Sequence, residues 1–192
     1  MKRLILTLFA IALSASVQAA ELGDDGLHKA DWMRDTFKDL REDLEEANGE
    51  GKRLVLMFEQ RGCVYCTKMH TDVFPQPEIT QMLEDNYFVV QLNLHGDVDV
   101  TDFDGETLSE KAMARKWGIL FTPTVIYLPE EVEEGLTAQQ AAVATMPGAF
   151  AKGTTLDLMT WVHEKRYLLD DNEDFQRYHA RRIQERNDGN TD

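Results

Sequence analysis

Leu54-Val55-Leu56-Met57-Phe58-Glu59-Gln60-Arg61-Gly62-Cys63-Val64-Tyr65-Cys66 is the stretch on which the fold turns. Its first five residues form a short continuous apolar run, the pattern of a strand buried on both faces. The segment after the cysteines reads as helix as far as Pro75, so the pair sits where a buried strand hands over to a helix. There, unpaired backbone N–H groups and the helix dipole favour a thiolate on Cys63. Two intervening residues let the sulfurs meet across the first turn. Cys63 could then attack a disulfide of another molecule, and Cys66 could resolve the mixed disulfide. Arg61 and Lys68 add positive charge nearby.

These are the chain's two cysteines. A bridge closing so small a loop stabilises little, so reactivity explains the pair better than stapling does. Two other readings stay open. One is an inert disulfide in an interaction domain. The other is a metal site, as in a copper chaperone built on Cys63, Cys66 and His70, with His95 as a further ligand of a Cys₂His₂ or soft-metal set. His70, four residues after Cys66, is otherwise an ordinary helix residue.

The chain opens with Lys2-Arg3, an apolar run of about a dozen residues from Leu4 to Ala15, and Val17-Gln18-Ala19. That is the layout of a secretory signal cut after Ala19, and its apolar run is too short to span a bilayer. The expectation is a protein that is exported and not membrane-embedded. Lys2 and Arg3 leave with the signal and no acid does, so 18 basic residues face 35 acidic ones across 173 residues, a net charge of −17. Such a balance repels phosphate backbones and anionic lipid and argues against nucleic-acid partners.

Residues 20–30 are polar and read as a flexible lead-in. Trp32, Met33, Phe37, Leu40 and Leu44 recur at helical spacing and predict a helix over 31–47, ended by Asn48-Gly49. Further helices are expected over 77–84, 107–117, 154–169 and 172–185, with strands over 88–94, 124–128 and 143–146. A short helix over 136–142 carries a capping box of Thr137 and Gln140. The acid-rich run 95–106 reads as a solvated loop. Its carboxylates fail as a calcium loop, because Asp102 stands where the turn glycine is needed. Trp32, Trp117 and Trp161 are expected in the core. Alternating strands and helices predict an α/β layer structure with a mixed sheet in one domain over 20–192.

In this order the motifs resemble the thioredoxin superfamily, over about residues 50–168. Cys63 and Cys66 match the redox pair, Thr122-Pro123-Thr124 the cis-proline loop, and Met146-Pro147-Gly148-Ala149-Phe150 the corner near the substrate groove. The resemblance implies a thioredoxin fold of α/β/α layers with an N-terminal helix and a helical extension over about 172–186. It implies that Cys63 is the nucleophile, Cys66 the resolving thiol, and Val64, Tyr65, Thr122 and Pro123 the substrate-binding residues. No cofactor is implied beyond the Cys63–Cys66 disulfide.

A closer resemblance is to periplasmic SoxW-type proteins, carried by Gly26-Leu27-His28-Lys29, Arg53 to Gln60, Met69-His70 and Phe175-Gln176-Arg177-Tyr178. It implies reduction of disulfides in exported proteins, electrons from a membrane thiol transporter of the CcdA type, and a link to sulfur-compound oxidation. The family's buried aspartate falls at Met57, and its usual first strand is missing from residues 20–30. Glu59, on the same strand face as Met57, is the candidate substitute proton acceptor for Cys66. A surface carboxylate at a strand end is the alternative.

Overall fold

The computed structural model of the chain describes residues 20–169 and 173–189. The expected signal segment, 1–19, and the expected helix start at Asn172 lie outside them.

The apolar run becomes strand β4, Arg53–Glu59, and all seven residues are buried. It lies at the centre of a five-stranded mixed sheet. Strand β5, Tyr87–Asn93, runs parallel to β4, with Val55 opposite Val89. Strand β8, Thr124–Tyr127, runs antiparallel on the other edge, with Phe58 opposite Thr124, and β9, Ala144–Pro147, continues beyond it. Because side chains alternate across a strand, β4 feeds two cores. Val55 and Met57 meet Met69, Ile79, Leu158 and Trp161 on one face. Leu54, Leu56 and Phe58 meet Leu40, Leu44, Met113 and Trp117 on the other. Helices α3, Pro77–Asn86, and α6, Lys152–His163, cover the first face. Helices α1, Leu40–Gly49, and α4, Glu110–Lys116, cover the second.

The N-terminal third departs from its expected form. Residues 20–30 are a hairpin of β1, Glu21–Leu22, and β2, His28–Lys29, with Leu27 buried beside it. The strand missing from 20–30 exists further on as β3, Met33–Arg34, two residues parallel to the edge of β5. The helix predicted from residue 31 starts only at Leu40, because Asp39 caps it, accepting from the N–H groups of Arg41 and Glu42. Trp32 is buried but outside that helix, and Phe37 is 96% exposed. The apparent helical spacing mixed residues of three elements.

The acid-rich run is a second hairpin, β6, Asp99–Thr101, with β7, Thr107–Ser109, so α4 begins three residues later than predicted. Asp102 is fully buried there, not solvated: it accepts from Trp117 Nε1 at 2.7 Å and from the Ala138 N–H at 2.8 Å. Helix α5, Ala138–Ala141, carries the expected capping box. The helix predicted to run to Leu169 ends at His163, where Lys165 turns left-handed with φ 53°. Helix α7, Phe175–Asp188, is tied to α6 by the buried Asp157, which accepts from Arg186 at 2.8 and 2.9 Å and from His179 Nδ1 at 2.6 Å. The three tryptophans are buried.

Asp43 is a buried acid on α1, bonded by Thr36 Oγ1 at 3.2 Å. Burial, with Asp39, Glu46 and Glu42 adding negative charge, pushes its pKa up from 3.8 to about 6. The folded state therefore holds this proton more tightly than the unfolded state does. The contribution is fully present below pH 3.8 and is lost as pH rises through about 6. Asp43→Asn keeps an acceptor for Thr36 and removes the titration. Urea melts are expected to show the variant gaining about 2–3 kcal/mol over wild type at pH 7.5. The two should converge near pH 4.

Candidate functional site

The redox pair lies just past the end of β4. Gly62 turns the chain with φ 73°, a backbone conformation that glycine adopts freely. Cys63 is the N-cap of helix α2, Val64–Lys68, and its sulfur accepts from the Cys66 N–H at 3.0 Å. The two cysteines form a disulfide with Cα atoms 5.2 Å apart. Cys63 is 6% exposed and Cys66 fully buried, so a client can approach the first sulfur alone.

The register of β8 against β4 carries Thr122 past the end of β4 and onto this sulfur. Thr122 Oγ1 donates to Cys63 Sγ at 3.3 Å, and the Thr122 carbonyl lies 3.4 Å from the same atom. The Thr122–Pro123 peptide bond is cis. The Pro123 carbonyl accepts from the Gly148 N–H at 2.7 Å, which brings the Met146-Pro147-Gly148 corner to the same place. Val64 and Tyr65 stand 77% and 66% exposed beside Cys63. Leu120 and Phe121, immediately before Thr122, are also exposed. Sequence reasoning gave neither of them a role, although an apolar pair outside any helix or strand was a visible signal.

Behind the pair is a buried polar cluster. Helix α2 passes into a wider π-type turn over Met69–Val73, which carries His70 inward. Glu59, the last residue of β4, is fully buried, so the strand-end surface carboxylate is ruled out. Its Oε1 lies 2.9 Å from His70 Nε2, and its Oε2 accepts from Gln91 Nε2 at 2.6 Å. Gln91 in turn donates to the His28 carbonyl at 2.8 Å and accepts from Lys29 Nζ at 2.7 Å. The His28 ring stacks on His70 with centroids 4.4 Å apart. Burial, and then the neighbouring His70, lower the pKa of His28, while Glu59 acts to raise it. Met57 is apolar core, and Glu59, two residues on, is a buried acid. His95 stays apart from His70, its Nε2 lying 3.0 Å from Gln60 Oε1 on an exposed loop. The structure thus does not assemble a Cys₂His₂ set. Gln91 was the missed signal, a polar residue inside an apolar strand.

Residues 40–146 match a family model described as a thioredoxin-like domain. A thioredoxin-fold protein from Helicobacter pylori shares 14% identity over 91% of this chain and 96% of its own, with a TM-score of 0.57. A thioredoxin from Thermus thermophilus shares 21% over 65% of this chain and 83% of its own, with a TM-score of 0.50. At these identities the likeness is one of fold. No curated protein matches the chain.

Glu59→Ala would leave His70 and Gln91 buried without their shared acceptor. Urea unfolding of the oxidised protein is expected to show a loss of about 3 kcal/mol. Glu59→Gln, which retains an acceptor oxygen, should lose much less.

Proposed function

The chain belongs to the thioredoxin-like family, and from that premise we propose that it is a dithiol–disulfide oxidoreductase that reduces disulfides of exported proteins. The observation that carries this reading is the setting of Cys63 Sγ. It sits at a helix start and receives the Cys66 N–H and the Thr122 hydroxyl, donors that stabilise negative charge on sulfur. In the reduced protein the Cys63 thiolate attacks one sulfur of a client disulfide, and the other client sulfur leaves as a thiolate. Cys66 then loses its proton and attacks Cys63 Sγ, releasing the second client thiolate and forming the Cys63–Cys66 bond. Two electrons pass from the dithiol to the client. The burial of Cys66 keeps it for this second step.

The cis-proline loop supplies the docking surface in this proposal. Thr122 presents backbone beside the nucleophile for a client strand, in the manner of β-augmentation, and Val64 and Tyr65 flank it. Leu120 and Phe121 join them as apolar contacts. Glu59, the buried carboxylate behind the pair, takes the Cys66 proton. The signal-like start of the sequence supports action in the periplasm. Among the described residues no helix is long and apolar enough to cross a membrane. Electrons would come from a membrane thiol transporter of the CcdA type, and the SoxW-like motifs support clients linked to sulfur-compound oxidation.

Reduction of a model protein disulfide is expected to fall at least about a hundredfold in Cys63→Ser, which lacks the attacking thiolate. Cys66→Ser should accumulate a mixed disulfide with its client, separable on a non-reducing gel. Undiminished turnover in Cys63→Ser, or no trapped species where wild type turns over, would sink the reading.

A further inference from the structure

His28, Gln91 and the second nitrogen of His70 have no part in disulfide exchange, yet they are gathered around one buried carboxylate. His28, Glu59 and His70 each offer one ligand atom, and these three atoms lie within 4.8 Å of one another. The 2.9 Å between His70 Nε2 and Glu59 Oε1 is a hydrogen bond, a few tenths of an ångström short of two ligands on a tetrahedral ion held at about 2.0–2.2 Å, so a bound ion would take the place of the shared proton. His70 is 2% exposed, so its Nε2 meets the Glu59 carboxylate shielded from bulk water.

The surroundings are those of a supported ligand set. Ligating carboxylates are themselves held by hydrogen bonds. Here Gln91 holds Glu59 Oε2, while Lys29 and the His28 carbonyl hold Gln91. Trp32 stacks against His70 and Phe74 meets it edge-on, closing the interior side. His28, half-buried on the N-terminal hairpin, leaves a way in.

We propose that His28, Glu59 and His70 form a binding site for one divalent transition ion of the zinc class, distinct from the Cys63–Cys66 pair. Two imidazoles and one carboxylate are a ligand set that zinc accepts with a fourth position left open. Calcium and magnesium call for oxygen ligands, and Cu(I) for thiolate or thioether. Ion binding and proton acceptance would use the same lone pairs of Glu59, so they exclude each other in time. Binding by itself does not depend on the redox activity.

The experiment is calorimetric titration of the oxidised protein with Zn²⁺, paired with Co²⁺ absorption as a report of geometry. In the oxidised form the sulfurs are bonded to each other and supply no thiolate. One equivalent is expected to bind at micromolar concentration or below. His28→Ala, on the partly exposed hairpin, and His70→Gln should each weaken binding at least about tenfold. Circular dichroism checks that both variants stay folded. The Cys63→Ser/Cys66→Ser double variant should bind as the oxidised wild type does. Three results would overturn the proposal: no binding up to millimolar Zn²⁺, binding indifferent to His28→Ala in the folded variant, or loss of binding in the double-serine variant. Disulfide reduction assayed on the same samples reports on the exchange chemistry separately.

Discussion

The burial of strand β4 on both faces and both edges is the constraint from which the rest of the molecule follows. A strand with every residue buried must satisfy each backbone group in a ladder, and β5 and β8 supply those partners. Once that register is set, Glu59 ends inside the protein and Cys63 emerges four residues later at the start of a helix. The same register sets Thr124 opposite Phe58, and so brings Thr122 to the sulfur. A slip of one residue would exchange the two core faces and separate Thr122 from Cys63 at once. Site geometry and core packing are therefore one property of β4.

What was legible in the sequence was local. The cysteine pair, the apolar run before it and the capping box of Thr137 and Gln140 each lie within a few residues, and each kept its meaning in three dimensions. What was not legible depended on partners far along the chain. Glu59 is buried because Gln91, 32 residues away, meets it. Asp102 is buried because Trp117 and Ala138 converge on it from 15 and 36 residues away. No periodicity encodes such meetings, and a carboxylate read alone defaults to the surface. The stretch from Trp32 to Leu44 failed for the opposite reason. Its spacing fitted a helix, but Asp39 offers a better start, and the residues before it serve a strand and a core contact instead.

Charge in this protein is handled in two ways. Most acids are exposed, whereas Glu59, Asp102 and Asp157 are buried and tie distant segments together. Asp157 joins two helices, Asp102 pins a hairpin to α4 and α5, and Glu59 holds the N-terminal hairpin close to the redox pair through Gln91. Each such carboxylate gives one arrangement its hydrogen bonds and leaves alternatives without them.

The apolar exposure of Val64, Tyr65, Leu120 and Phe121 has a consequence for how a strongly acidic molecule meets other chains. With a net charge of −15 over the full chain, long-range attraction favours basic polypeptides in dilute buffer and repels acidic ones. An apolar contact at these four side chains would be short-ranged. Dissolved salt shortens the reach of the charges to a few ångströms and leaves apolar burial intact. At high salt any apolar contact at these side chains would therefore discriminate little between basic and acidic chains.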